Sequence, residues 1–334
     1  MKIDSIIIEP FNIQLLKPFE MFNQKYFVRT GWYVKIKCEN LIGHGEIAPL
    51  DGYSPDHNLY VKDKIKNIFK NLNGLDLISL KDFIYEKFKN YPSIQFGFET
   101  AVYDLLSKKK MIPMSQYLNQ KSLKKIFSNS NLNINSDIKQ LNDIVKIKIT
   151  SLELDRYKLF FDKILNKFSN LKFRLDFNEI LNLKEAKMWV KELSDYNIQY
   201  IEQPLPKEQV LELSDLKNYS KIPIAVDESI TCLDSAYRMI ENNCADIFII
   251  KPMISGGYLN TKKIVDIAEK NNIKSIITTT LESEIGFLAN VHIAAALNIK
   301  EYCGFSTWNL FFKNPPSYIV NNNVVISNKP GLGH

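Results

Sequence analysis

Five ionisable residues recur at nearly constant intervals through the middle of the chain. Lys148, Asp176, Glu202, Asp227 and Lys251 follow one another at spacings of 28, 26, 25 and 24 residues. Each ends the β-type core of a short run: DIVKIKIT, LKFRLDFN, IQYIEQP, IPIAVDES and DIFIIKP. Three carboxylates brought to one place repel one another, and without compensation some would stay protonated. A divalent cation removes that conflict. An oxygen donor set with no His or Cys beside it selects a hard ion, Mg2+ first, with Mn2+ as the alternative. The flanking lysines supply a base, because partial burial and cationic neighbours lower a lysine's pKa until it can accept a proton. A Lewis acid beside such a base suits removal of a proton next to a carboxylate, with the metal holding that carboxylate and stabilising the enediolate. Such protons are too weakly acidic for lysine alone, so the cations must lower the barrier by on the order of 10 kcal/mol.

The elements that would position these residues repeat one phrase from about residue 126 onward. A short β-type run is followed by a helical stretch, and the runs fall at 126–134, 143–150, 171–178, 198–204, 222–229, 246–252, 274–283 and 301–307. Helical spacing is clear at 184–195, 207–217, 234–242 and 260–271. Alternating strands and helices predict parallel strands with right-handed crossovers. Eight of them predict a (β/α) barrel, with the five charged residues at the C-terminal mouth where such barrels carry their chemistry. Before residue 125 the pattern differs. Segments 3–16, 27–37 and 41–47 alternate apolar and polar residues as antiparallel strands do, and 56–72, 77–89 and 95–109 have helical spacing.

Composition removes most other classes. The 334 residues are 45% hydrophobic and 24% charged, ordinary for a globular protein. No apolar run approaches the roughly 20 residues of a membrane helix. The opening MKIDSIIIEPFNI has a three-residue apolar run before Glu9 and Pro10, so no leader is expected and a cytoplasmic location follows, or a plastid stroma for an organelle-encoded chain. Net charge is +6, but lysine is spread along the whole chain and no aromatic motif is interleaved with it, so nucleic acid is not an expected partner. Neither GxGxxG nor GxxxxGK[ST] occurs, which argues against nucleotide binding. Cys38, Cys232, Cys244 and Cys303 show no CxxC spacing, so neither a disulfide framework nor a zinc site is expected. His44, His57, His292 and His334 follow no metal-ligand spacing; His292 reads as core or surface and the last residue, His334, as exposed. Glu228 reads equally as a neighbour supporting the site or as a helix-cap neighbour, and Glu282 as part of a polar network or of the site's edge.

At these residues the sequence resembles the enolase superfamily, in its muconate-lactonizing subgroup. The resemblance spans nearly the whole chain. It is carried by Lys146-Ile147-Lys148, Asp176 in RLDFN, Glu202 in IEQP, Asp227 in AVDES, Lys251 in IIKP, and the segments GHGEIAPL and FGFETAVYDL. A Lys base paired with Mg2+ is a known property of that superfamily. The fold it implies is α/β: an α+β capping domain over residues 1–125, a modified (β/α)7β barrel of TIM type over 126–311, and a tail, 312–334, returning to the cap. Within the subgroup the chain looks most like the o-succinylbenzoate synthase family, through GHGEIAPLDGYSPD, RLDFN, ITTTLESEIG and CGFSTWNLF.

That family, of carbon–oxygen lyases, dehydrates 2-succinyl-6-hydroxy-2,4-cyclohexadiene-1-carboxylate to 2-succinylbenzoate on the route to menaquinone or phylloquinone. The resemblance implies that Lys148 takes the α-proton and returns it to the departing hydroxide on the same face. Lys251 would stabilise the enediolate by cation–π attraction, and Lys146 would support the substrate carboxylate and keep the Lys148 pKa low. Asp176, Glu202 and Asp227 would hold Mg2+. Substrate contacts are expected from Lys146, Arg174, Asn178, Thr278, Thr280, Gly304 and Arg29. The expected partner is a small-molecule carboxylate, with a monomer and a homo-oligomer both open. Arg174 also reads as an internal salt bridge, and Arg29 as a surface pair.

Two other readings share these residues. An N-acylamino acid racemase or dipeptide epimerase would use both lysines, one on each face. Dipeptide epimerases carry a paired-acid DxD motif near the last barrel strand for the substrate ammonium, whereas residues 303–308 here are Cys, Gly, Phe, Ser, Thr and Trp. A cycloisomerase remains open. A barrel that merely binds or scaffolds would not need the complete set of two lysines and three carboxylates.

Overall fold

The computed structural model describes residues 1–21, 24–68, 72, 75–134 and 141–333; His334 lies outside the described residues. The chain begins with an antiparallel sheet in the order β1 (Ser5–Met21), β2 (Gln24–Cys38) and β3 (Leu41–Ile47). Strands β1 and β2 pair from Ser5↔Lys37 to Gln14↔Val28, lose register, and pair again from Phe19↔Tyr26. Pro18 lies in the break, where a residue without an N–H cannot serve a ladder. Beyond it the hairpin continues toward the barrel mouth.

Helices α1 (Asn58–Ile68), α2 (Leu77–Lys87), α3 (Pro92–Lys109) and α4 (Met114–Leu118) complete the cap. Asp76 starts α2 by accepting the N–H groups of Ile78 and Ser79, and Pro92 starts α3 where its missing donor is harmless. One face of α3 lies directly on β3, and glycines permit it. A Cβ at Gly45 would stand 1.9 Å from the Gly97 carbonyl oxygen, and one at Gly43 2.0 Å from that of Ala101. Val34, Ile36, Ile47, Leu80, Phe98 and Leu105 fill the core that this approach closes.

The parallel sheet runs β5 (Ser130–Leu132), β6 (Ile144–Lys148), β7 (Lys172–Asp176), β8 (Ile198–Glu202), β9 (Ile224–Val226), β10 (Ile247–Ile250) and β11 (Lys274–Ile277), each beside the next. The eighth expected strand is reduced to Cys303 and Gly304, which bridge Ser128 and Thr278 and so join the two edges of the sheet. The result is a TIM-type barrel beneath a capping domain. Helices α5 (Leu154–Leu165), α6 (Leu183–Glu192), α7 (Val210–Tyr219), α8 (Leu233–Glu241), α9 (Pro252–Ser255), α10 (Tyr258–Lys270) and α11 (Glu284–Ala296) follow their strands. Buried on nearly every side, α11 includes His292, whose Nδ1 accepts the Ser115 N–H at 3.0 Å. No described helix is long and apolar enough to cross a membrane.

Cap and barrel meet through two buried glutamates. Glu99 of α3 accepts the N–H groups of Tyr258 and Leu259 at the start of α10. Glu46 of β3 accepts those of Ser283 (2.8 Å) and Gly286 (2.9 Å) at the start of α11. Helix N-termini present unpaired N–H groups and positive potential, so a carboxylate from another element satisfies both. The tail forms β12 (Ile319–Val320) and β13 (Asn323–Val325), pairs through β13 with β4 (Lys125–Ile126), and ends with the Leu332 N–H donating to Asp104 of α3 at 2.8 Å.

Because a backbone carbonyl cannot move aside as a flexible side chain would, Gly45→Ala should destabilise the protein by about 2–3 kcal/mol. Urea unfolding checks this, and an unchanged midpoint would refute the packing argument.

Candidate active site

Successive residues of a strand point to opposite faces, so residues two apart share one. Along β6, Lys146 and Lys148 both face inward; along β7, Arg174 and Asp176 do so. Register aligns Lys148 with Asp176 and Asp176 with Glu202, forming an upper layer, while Lys146, Arg174 and Tyr200 align one step deeper. Asp227 follows β9 directly and Lys251 follows β10 directly. A cavity of about 530 Å3 opens above, lined from the barrel by Lys146, Lys148, Asp176, Asn178, Asp227, Lys251, Thr278, Thr280 and Gly304. From the cap it is lined by Lys17, Phe19, Glu20, Leu50 and Tyr53. Glu202 lies beneath, fully buried.

Cations and carboxylates interleave. The Lys146 ammonium lies 2.7 Å from Glu202 and 2.9 Å from Asp176, and Lys251 pairs with both oxygens of Asp227. The Tyr53 hydroxyl donates to Asp227 at 3.1 Å and accepts from Lys251, whose ammonium lies 4.6 Å from the tyrosine ring centre. On the other side Lys148 donates to the Glu20 carbonyl at 2.9 Å and lies 5.8 Å from the Phe19 ring. Two cap segments therefore reach down to the two lysines.

These contacts set the proton affinities. Burial lowers the Lys148 pKa, with Lys146 and Lys251 adding to it against the pull of Asp176 and Glu228. Burial acts on Lys146 in the same sense, but Asp176 and Glu202 outweigh it and hold this lysine charged. Burial pushes Glu202 up to about 7, aided by the charges of Asp176 and Asp227 and opposed by Lys146. Asp176 feels burial too, yet Lys146, Lys148 and Lys251 win and keep it below the usual carboxylate range. Glu228 is raised well above that range by burial and by Asp227 and Asp176, while Asn178 donates to its Oε1 at 3.0 Å.

The donor chemistry fits a hard divalent ion. Glu202 Oε2, Glu228 Oε2 and Asn178 Oδ1 are buried with no hydrogen-bond partner, and such oxygens are costly without a proton or a cation. Among the described residues no three Asp, Glu, His or Cys side chains group closely enough to hold an ion in their present positions. Ammonium groups lie between the carboxylates, as the Lys146 bridge shows.

Two expected substrate contacts are elsewhere. Arg174, although on the same face as Asp176, is one layer deeper and fully buried; it donates to Gln199 (2.6 Å), Asn129 (3.2 Å) and the Tyr302 carbonyl (2.7 Å), and stacks on Tyr200. These bonds go to amide and carbonyl groups, so it is not an internal salt bridge either. Arg29 is neither at the surface nor in the cavity lining. Its guanidinium donates to carbonyls of Thr30 (3.0 Å), Ala48, Pro49 (2.9 Å), Thr280 (3.4 Å) and Leu281 (2.8 Å), joining the cap loop to the loop after β11. Asn178, Thr278, Thr280, Gly304 and Lys146 do line the cavity. Tyr53 was not singled out from the sequence, although its segment was; nothing in a lone tyrosine marks a partner 174 residues away.

Residues 136–334 match the family described as Enolase C-terminal domain-like, and residues 10–105 match MenC, N-terminal domain. The chain belongs to the enolase superfamily, a superfamily of enzymes. It is 26% identical to the D-Ala-D/L-Ala epimerase of Cytophaga hutchinsonii, over 82% of this chain and 78% of that one. It is also 26% identical to the o-succinylbenzoate synthase of Bacillus subtilis, over 99% of this chain and 94% of that one. Its fold matches that of a dipeptide epimerase from Enterococcus faecalis complexed with Mg and the dipeptide L-Leu-L-Tyr. The TM-score is 0.87 at 22% identity, covering 100% of this chain and 99% of the other.

The Arg29 seam has its own acid dependence. Glu282 is raised to about 7 by burial and by neighbouring Glu46, with Arg29 opposing the shift. Its proton is held more tightly in the folded state than in the unfolded chain. The stabilisation it gives is therefore full below the ordinary glutamate value of 4.5 and is lost as pH rises through 7. Glu282→Gln should remove a pH-dependent difference on the order of 2–3 kcal/mol between pH 4.5 and 8. Urea unfolding across that range reads it, and parallel curves for the two proteins would refute it.

Proposed function

We propose that the protein is an Mg2+-dependent o-succinylbenzoate synthase, converting 2-succinyl-6-hydroxy-2,4-cyclohexadiene-1-carboxylate to 2-succinylbenzoate and water. The observation that carries this reading is the charge of the cavity wall. Beyond Asp176 and Asp227, the acid lining it among the described residues is Glu20, whose carboxylate pairs with Lys25 at 2.8 Å. The far wall is Thr278, Thr279, Thr280, Ser306, Thr307 and Asn309, with Lys17 from the cap. Such a wall suits an anionic succinyl arm and offers no carboxylate to a substrate ammonium. The similarity to a synthase over 99% of the chain and the match to the MenC N-terminal domain support it as well.

In this reading Asp176, Glu202 and Asp227 hold Mg2+, which supplies a Lewis acid for the substrate carboxylate. Lys148, its pKa lowered by burial, takes the proton as the free amine from the ring carbon that bears the carboxylate. Its ammonium then gives that proton to the neighbouring hydroxyl as the C–O bond breaks, so water leaves and the ring becomes aromatic. Phe19 and the Glu20 carbonyl hold Lys148 from the cap side. Lys146 stays charged and holds the carboxylate cluster. Lys251, held by Asp227 and Tyr53 against the opposite wall, presents a cation to the charge that develops.

A second reading is racemisation of N-acylamino acids or epimerisation of dipeptides, favoured by a second lysine in the same cavity and by the equal identity to an epimerase. Of these two, the racemase suits the uncharged far wall, since an acyl group stands in place of the free ammonium.

With purified protein, Mg2+ and the cyclohexadiene substrate, the absorbance of the diene should fall rapidly, and EDTA should stop it. Lys148→Ala should lower kcat by about 10^3-fold or more with the circular dichroism spectrum unchanged. The rate of the wild type should rise with pH along a limb centred below the ordinary lysine value of 10.5. Folded, Mg2+-supplied protein that leaves the diene intact but exchanges the α-proton of N-succinylamino acids or of dipeptides in D2O would replace the first reading with the second.

A further inference from the structure

Gln203 follows Glu202 directly and is fully buried, and neither charge nor spacing draws attention to it. Its φ is +35°, a left-handed conformation that costs a non-glycine residue about 1–3 kcal/mol and persists where the surroundings over-determine it. The side-chain amide supplies that determination. Its Oε1 accepts the backbone N–H of Asp227 at 2.9 Å and of Ser229 at 3.2 Å. Its Nε2 donates to the Leu205 carbonyl at 2.9 Å and to Ser229 Oγ at 3.0 Å. The backbone is equally committed: the Gln203 N–H donates to Ala225 and its carbonyl accepts from Glu179, both at 2.8 Å. One residue thus ties the loops after β7, β8 and β9, beside Asn178, just beyond Glu202 and at Asp227.

We propose that Gln203 is a positioning residue that fixes the spacing of the Glu202 and Asp227 carboxylates and thereby sets the protein's affinity for Mg2+. The inference rests on the metal-dependent reading above and deepens it. Asp227 is pulled sideways by Lys251 and Tyr53, so its own backbone is the reference from which its carboxylate is aimed, and Gln203 holds that backbone. Groups that orient metal ligands typically change metal affinity by about 10–100-fold when removed. Once a metal is held, Lys148 and the cavity wall are unaltered, so the loss falls on the metal requirement and not on turnover.

Gln203→Met keeps the side-chain volume and removes every amide bond, and Ser229→Ala removes one partner without touching Gln203. Isothermal titration of each protein with Mg2+ should show Kd raised about tenfold or more in Gln203→Met. Ser229→Ala should show a smaller rise in the same direction. At saturating Mg2+, kcat of both should return to within about threefold of wild type, a split that lost stability alone does not produce. Variants that fold and bind Mg2+ as wild type does, or whose kcat stays low at saturating Mg2+, overturn the role of Gln203 while leaving the metal reading intact. If Gln203→Met does not fold, an unchanged Kd in Ser229→Ala overturns it equally. Wild-type protein that takes up no Mg2+ overturns the metal reading and this inference together.

Discussion

Like charges buried at one point are the constraint around which the molecule is built. Asp176, Glu202 and Asp227 stand at the ends of neighbouring strands, and water cannot screen them there. The barrel offsets the repulsion with cations of its own, Lys146 between two of the carboxylates and Lys251 on the third. The compensation is incomplete, as the raised Glu202 and the unpartnered oxygens of Glu202 and Glu228 record. A hard cation would complete that compensation. The same placement of charge explains why the lysines differ: Lys146, between acids, is held charged, whereas Lys148, under the cap, is driven toward the neutral amine.

The cap completes the arrangement from outside the barrel. Its hairpin brings Phe19 and Glu20 over Lys148, and its loop brings Tyr53 onto Lys251 and Asp227. Neither contact would be reproducible if the cap could slide. Glu46 and Glu99 prevent that by accepting the free N–H groups of two barrel helices, and Arg29 fastens the loops on both sides of the seam. Leu281, which Arg29 holds through its carbonyl, has φ +59°, so the wall it adds to the cavity is kept in place against a backbone preference.

Much of this was legible from residue types and intervals. A strand end in a parallel barrel must recur once per β/α unit, so five charged residues at 24–28-residue intervals could hardly serve different sites. Depth was not legible. Arg174 shares a face with Asp176, but two residues of strand lift a side chain by roughly 7 Å, enough to separate the cavity from the layer beneath it. Arg29 and Arg174 were expected at the substrate, and each proved to be bound by carbonyl and amide groups, most of them distant in sequence. Gln203 and Tyr53 were missed for the converse reason: they are neutral side chains whose importance lies in partners that folding brings to them. The last strand was foreseen at seven residues and is two, because bridging Ser128 and Thr278 needs no more.

The glutamates that fix the cap act on the starts of two barrel helices, while the hairpin and loop that enter the cavity meet the two lysines directly. Anchorage and recognition are thereby assigned to different residues. Substitution at Phe19 or Tyr53 changes the surface that an incoming molecule meets while the Glu46 and Glu99 anchors stay in place. For laboratory evolution, this makes the cap a replaceable template over a fixed set of barrel groups, and diversity is best introduced into those two segments first.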